Sequence, residues 1–336
     1  MNYLVTGGAG FIGSNLVKAL LSKGENVRVL DNFSTGKREN ILEYINNPNF
    51  KIIEGDLRSF HTVRDAVKGV DFILHQGALP SVQRSVNDPI TTNEVNISGT
   101  LNILEAAKEF GVKRVVFASS SSVYGNSVTL PKEETMGIAP LSPYALSKYA
   151  GERYCQIYYQ IYGLETVCLR YFNVFGPNQD PTSQYSAVIP KFIKSILKSE
   201  QPIIFGDGIQ SRDFTFVENV VSANLLACSA YNVAGEMFNI ACGARYNLIQ
   251  LVEEINKLIG KQILPIFKTE RKGDVKHSLA SIEKAKKMLG YNVLFPFDKG
   301  LLKTIESLNH KFNIFFTPYA LKLNSIVNSL PLPISE

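Results

Sequence analysis

Tyr144 and Lys148 stand four residues apart in Leu141-Ser-Pro-Tyr-Ala-Leu-Ser-Lys148, so a helix through them presents a phenol and an ammonium on one face. Ser142 suits the cap of that helix and Pro143 its first turn. A free tyrosine has a pKa of roughly 10 and is a weak base at neutral pH, unless a nearby ammonium and a second cation favour its phenolate. Lys148 and an oxidised nicotinamide ring would supply those charges. The pair could then take a hydroxyl proton while a hydride leaves the same carbon. The spacing alone also arises by chance on many helices, as a surface tyrosine and a solvated lysine, so a cofactor site elsewhere must decide its meaning.

That site is Thr6-Gly-Gly-Ala-Gly-Phe-Ile-Gly13, which follows the first apolar run and opens a helical one. Gly7, Gly10 and Gly13 allow a tight turn and close backbone approach, and the first helical N–H groups, near Phe11 and Ile12, would meet a pyrophosphate. Asp31 ends the second apolar run roughly 20 residues on, where a carboxylate accepts from both ribose hydroxyls of NAD and repels the 2′-phosphate of NADP. Lys37 and Arg38 nearby read as solvated charges at a helix start. Asp56 and Leu57, after the third run, either bracket an adenine or cap the next helix.

The elements that must carry these residues alternate. Tyr3–Thr6, Val27–Leu30, Lys51–Ile53, Phe72–His75, Val115–Ala118 and Leu164–Leu169 read as strands separated by helical patterns. The expected fold is α/β: a Rossmann-type doubly wound parallel sheet with a smaller α/β substrate-binding part toward the C-terminal side. The expected division is residues 1–172 for the NAD-binding domain, 173–310 mainly for the substrate-binding part, with a return of strands to the first left open, and 311–336 for an extra tail. Beyond Asn173, loops at Gln179–Ser186 and Gly206–Ser211 separate helical segments such as Val188–Lys198 and Leu248–Ile259.

Composition narrows the partners. The chain has 336 residues, 45% of them hydrophobic, and a formal net charge of +5 with no tryptophan and no long basic block. Anionic small molecules fit this balance, and a nucleic-acid face has no support. Four cysteines and four histidines show no metal-ligand or disulfide spacing. No charged-then-apolar leader precedes Asn2, so a cytoplasmic enzyme is the expectation. The apolar stretch from Lys311 is broken by Pro318, Pro331 and Pro333, which argues against a stable membrane span.

Ordered motifs then carry a resemblance: TGGAGFIG at Thr6, DNFSTG at Asp31, HQGA at His75, SSSSVYG at Ser119, SPYALSK at Ser142, RYFNVFGP at Arg170, AVIPKF at Ala187, GDGIQSRDFTFVENV at Gly206 and RKGDVKHS at Arg271. From Asn2 to about Leu308 the chain resembles the extended short-chain dehydrogenase/reductases that act on nucleotide sugars, and within them the UDP-N-acetylglucosamine 4-epimerases. The tail after His310 lies outside the resemblance.

The resemblance makes Ser120, Tyr144 and Lys148 the catalytic set. Taken alone, the serine run also fits a polar strand end. The resemblance extends the cofactor residues to Asn32, Ser34, Gly36, Gln76, Ala78, Asn96 and Tyr171. It assigns substrate contacts to Ser81, Ser121, Ser122, Asn173, Ala187, Val188, Arg212, Arg245, Arg271, Asp274 and Ser278, with Arg84 either beside them or in a structural ion pair. Related dehydratases and decarboxylases place an acid directly after the active hydroxyl residue; here Ser121 follows Ser120. Reversible oxidation at C4 of a UDP-hexose is therefore the implied reaction, by an enzyme that usually works as a homodimer. UDP-GlcNAc/UDP-GalNAc is the expected pair, because the small Ser278 leaves room for an N-acetyl group. UDP-glucose/UDP-galactose or UDP-glucuronate 4-epimerisation shares every catalytic residue, and an inactive NAD-sensing protein would be expected to lack the Tyr–Lys pair. Pro80 replaces a glycine usual in close relatives, beside the proposed sugar pocket. His75 and His277 receive no proton-transfer role.

Overall fold

A computed structural model describes residues 1–181, 188–270 and 276–312. Seven strands form one parallel sheet: β1 (Asn2–Thr6), β2 (Asn26–Asp31), β3 (Phe50–Glu54), β4 (Phe72–His75), β5 (Arg114–Ser120), β6 (Glu165–Tyr171) and β7 (Met237–Ile240). Their order is β7-β6-β5-β4-β1-β2-β3. The six expected strands all form, with β1, β2 and β3 one or two residues longer than their apolar runs. β7, which no apolar run of the sequence singles out, comes from the C-terminal half, whose return of strands the sequence leaves open: its four residues pair in parallel with Cys168–Tyr171.

Alternating side chains build two cores. Val5, Val29, Leu74, Val116 and Val167 face the helices Phe11–Ser22 and Val217–Ser229. Leu4, Leu30, Ile73, Val115 and Cys168 face the helices Phe60–Val67, Gly99–Glu109 and Pro143–Tyr162. A sheet covered on both faces explains why its strands read as continuous apolar runs. A third core, with Phe175, Phe192, Phe214, Phe216 and Phe297 among its residues, lies among the helices Val188–Leu197, Leu248–Ile259 and Phe297–Phe312.

The order reverses between β1 and β4, which is where ligands of open α/β sheets bind, beyond the carboxyl ends of the strands. Register brings those ends level. Thr6 lies beside both Leu30 and His75, and Ser120 pairs with Tyr171. Among the described residues, no helix is long and apolar enough to cross a membrane.

Candidate active site

The helix Pro143–Tyr162 begins as its sequence requires. Ser142 accepts from the Ala145 N–H at 3.1 Å, and proline occupies the first turn. Tyr144 therefore leaves the first turn, half-buried, and Lys148 follows one turn later, buried. Ser120 comes from the end of β5. Its oxygen accepts from the Ser122 N–H at 3.2 Å and the Ser122 hydroxyl at 2.9 Å, so its own proton is left to donate. Ser121 and Ser122, both half-buried, open the short helical turn that follows.

The protein alone keeps Tyr144 protonated. Burial raises its pKa, and the hydrogen bond with Ser120 opposes that rise. The Lys148 ammonium lies 6.0 Å from the Tyr144 ring centre and donates to the Ala118 carbonyl at 2.7 Å. Burial also lowers Lys148 itself to about 8. As expected from the sequence, the phenolate calls for a second cation beside the ammonium, which here is anchored on the Ala118 carbonyl.

Beneath this corner lies a buried ionic network. Arg170 donates to Glu152 through Nε and Nη2 at 2.8 Å each, and through Nη1 to the Tyr124 hydroxyl at 2.8 Å. Ser119 donates to Glu152 at 2.6 Å, and Tyr124 donates to Asn239 of β7 at 2.7 Å. The neighbours of Ser120 and Tyr171 are so tied to the helix of Tyr144 and Lys148. Sequence reading missed these residues. Glu152 carried a signal, since it continues the four-residue spacing of Tyr144 and Lys148.

The glycine turn fits a dinucleotide. Gly7 has φ +64°, and a Cβ added to Gly13 would lie 2.1 Å from the Gly7 carbonyl oxygen. Gly10 caps the helix Phe11–Ser22 without a side-chain bond, so the first-turn N–H groups around Phe11 and Ile12 have no intrahelical acceptor. Asp31 is buried and accepts from Ala9 at 2.9 Å and Phe33 at 2.8 Å; burial raises its pKa against those two N–H bonds. Gly36 packs so closely that a Cβ there would meet Asp31 Oδ2 at 2.9 Å. Ser34 N–H bonds to the Asn32 side chain, which in turn donates to Asp56 at 3.0 Å. Asp56 is held down to about 2, mainly by Arg58, and lines an open pocket with Ser59, Glu94 and Ser98. Ser59, not Asp56, caps the helix Phe60–Val67. Leu57 is buried under the same edge.

Lys37 and Arg38 are not simply solvated. Lys37 pairs with Asp180 at 2.8 Å, and Arg38 lies over the Phe33 ring and pairs with Glu54. Deeper in, the Tyr171 hydroxyl lies 3.2 Å from Gln76 Oε1 and 2.8 Å from Asn224 Nδ2. Asn96 bonds both backbone groups of Leu79 beside half-buried Ala78, and donates to Ser147. His75 is buried between Thr6 and Thr100, and desolvation lowers it to about 3, which keeps it neutral.

Of the expected substrate residues, Asn173, Arg212, Arg245 and Ser278 lie on segments that contact one another. Asn173, with φ +36°, donates to the Asp213 carbonyl at 3.1 Å and reaches Ser278 Oγ at 3.4 Å. Arg212 donates to the carbonyls of Ser211 and Lys276 at 3.0 and 3.1 Å. Arg245 is exposed just before Tyr246, the antiparallel partner of Arg212. Ser81 takes φ +97°, a strained value for serine, directly after Pro80 and caps the short helix that includes Arg84. Val188 begins its helix half-buried. Ala187, Arg271, Asp274 and the segment 313–336 lie outside the described residues.

A dinucleotide turn at the switch point of a parallel sheet, with a serine–tyrosine–lysine corner on the same sheet, fits an enzyme that moves a hydride and a proton with a nicotinamide cofactor. The chain belongs to the NAD dependent epimerase/dehydratase family, whose model matches residues 3–241. It is an isomerase of the UDP-sugar 4-epimerase group, with NAD as cofactor. It is 40% identical to a putative UDP-glucose 4-epimerase of Methanocaldococcus jannaschii, over 90% of this chain and 97% of that one. The UDP-N-acetylglucosamine 4-epimerase of Methanobrevibacter ruminantium M1, solved with UDP-N-acetylmuramic acid, matches with a TM-score of 0.88 at 40% identity, over 92% and 98% of the two chains. The UDP-glucuronic acid 4-epimerase of Bacillus cereus, solved with UDP-glucuronic acid and NAD, matches with a TM-score of 0.86 at 31% identity, over 93% and 100%.

Proposed function

We propose that the chain interconverts C4 epimers of a UDP-hexose, with UDP-GlcNAc and UDP-GalNAc as the preferred pair. The approach of Ser120 and Tyr144 at the end of β5, with Lys148 one turn behind, carries the reaction type. NAD, bound over the glycine turn, supplies a hydride acceptor at C4 and later the same hydride. Tyr144 takes the 4-OH proton as that hydride leaves, and returns it when the 4-keto sugar presents its other face. Ser120, with its oxygen already accepting two bonds, donates to the sugar oxygen. Lys148 holds the cofactor ribose and adds positive charge near the phenol. Asp31 selects the ribose hydroxyls, and Gln76 with Tyr171 lines the cofactor's inner end.

The keto sugar must turn within its pocket, so binding energy belongs on the nucleotide rather than the hexose. Arg212 and Arg245 suit the diphosphate, joined in this reading by Arg271, and Asp274 suits the uridine ribose. Ala187 and Val188 border the uracil. Ser278, within reach of Asn173, supports the sugar preference because its side chain is small. The relatives named for UDP-glucose and UDP-glucuronic acid favour the second reading, a 4-epimerase of those sugars.

Self-association through the helix Pro143–Tyr162 belongs to the same proposal. Its outer face exposes Leu146, Ile157 and Ile161, which a second copy would cover. The deciding experiment incubates the purified protein, without added reductant, with UDP-GlcNAc, UDP-glucose and UDP-glucuronate, and resolves the epimers. Fastest turnover of UDP-GlcNAc is expected. Fastest turnover of another sugar selects the second reading, and no epimer from any of them refutes both.

A further inference from the structure

Asp213 is the fully buried acid of the stretch Ser211-Arg-Asp-Phe214, and its neighbours are unusual in where they come from. Its Oδ1 accepts from the Cys242 N–H at 3.0 Å, and its Oδ2 from Gly243 at 3.1 Å and Ala280 at 3.2 Å. Gly243 has φ +70°, a conformation that lets successive N–H groups of the loop converge on one anion. The backbone carbonyl of Asp213 accepts from Asn173. No oxygen of Asp213 faces solvent, so it has no access to a substrate proton.

Each of these contacts ends beside a residue of the proposed substrate site. Arg212 precedes Asp213 directly, and the Cys242–Gly243 turn leads into Arg245. Ala280 follows Ser278 by two positions, and the Ser278 N–H donates to the Ser211 carbonyl at 3.0 Å. Asn173 completes the set from just beyond the end of β6.

We infer that Asp213 is the positioning residue of the nucleotide-sugar site: one buried carboxylate, met by backbone N–H groups of two other segments, sets Asn173, Arg212, Arg245 and Ser278 in place before substrate arrives. The inference rests on the substrate site proposed above. A buried anion is suited to this task because its hydrogen bonds are charge-assisted and leaving any of those N–H groups without an acceptor is costly. A site organised in advance binds without the cost of ordering its loops, and that benefit falls on binding rather than on the chemical step.

The test uses the whole NAD-loaded protein and UDP alone as the calorimetric probe. Asp213→Asn keeps the shape but turns one acceptor into a donor that faces backbone N–H groups. The expected result is a tenfold or larger rise in the Kd for UDP and in KM, a fall in kcat of less than threefold, and unchanged NAD content. Unchanged UDP affinity, or loss of kcat with KM retained, overturns the inference. A second measurement needs no variant: in the wild-type protein without UDP, the amides of Cys242, Gly243 and Ala280 should exchange slowly with solvent deuterium. Fast exchange that slows only when UDP is added would show that the ligand, not Asp213, assembles the site. If the wild-type protein fails to bind UDP at all, the proposed substrate site falls and the inference with it, whereas wild-type binding equalled by Asp213→Asn sinks the inference alone.

Discussion

The proposed catalytic corner and the proposed nucleotide-sugar site are held together by opposite means. Tyr144 and Lys148 share one helix with its own serine cap, and Ser120 sits at the end of the neighbouring strand. Asn173, Arg212, Arg245 and Ser278 come from four segments that meet around Asp213. A proton-transferring group tolerates little misplacement, and a helix face with a strand end is a rigid mount for it. A nucleotide can be gripped by several weaker contacts from loops, whose identities can change without disturbing the chemistry.

Breaking the corner should therefore cost the most. Tyr144→Phe is expected to lower kcat by about 10²–10⁴-fold while NAD and UDP stay bound. Steady-state turnover beside UDP calorimetry checks this, and near-wild-type turnover would remove Tyr144 as the base. Glu152→Ala tests the mount itself. Arg170 and Glu152 are each only 1% exposed, and leaving the guanidinium buried without its partner should cost about 3–5 kcal/mol of stability. Denaturant unfolding reads that loss, and a change below about 1 kcal/mol would mean the network is not what holds the corner.

Smaller effects belong to the proposed nucleotide-sugar site. Ser278→Tyr is expected to reduce kcat/KM for UDP-GlcNAc about tenfold more than for UDP-glucose, a difference of ~1.4 kcal/mol. Equal losses on both sugars would sink the idea that Ser278 sets the size of the sugar pocket. The pH profile separates the regions most gently. Burial places Lys148 near 8, below its usual value, so it is charged below that pH and neutral above it. If its charge helps Tyr144 release a proton, kcat should have fallen by about half when the pH reaches about 8 and should keep falling above it, while UDP affinity stays flat across the same range. A kcat that is level to about pH 9 would leave the ammonium without an electrostatic role.

The two regions are unequally legible in the sequence. The helix of Tyr144 and Lys148, the glycine turn and Asp31 are local patterns, and the structure places them with the caps and turn their residue types imply. Glu152 is within reach of the same reading, by continuing the helical spacing one step further. Asp213 is not, because an acid beside an arginine reads as a substrate or surface group until its burial is known. Asp56 offers a smaller example: its place after β3 suits a helix cap as well as an adenine contact, and the cap is Ser59.

Hydrophobic period and turn chemistry, which act over a few residues, were enough for the parallel sheet, its cofactor turn and the tyrosine–lysine pair. Tertiary structure decided the rest: that β7 pairs at the sheet edge beside β6, that the Ala118 carbonyl anchors the Lys148 ammonium, and that Asp213 lies inside. Those outcomes depend on which distant backbone groups a strand end or a buried charge finds as partners. Such partners are separated by many residues along the chain, and no local pattern encodes them.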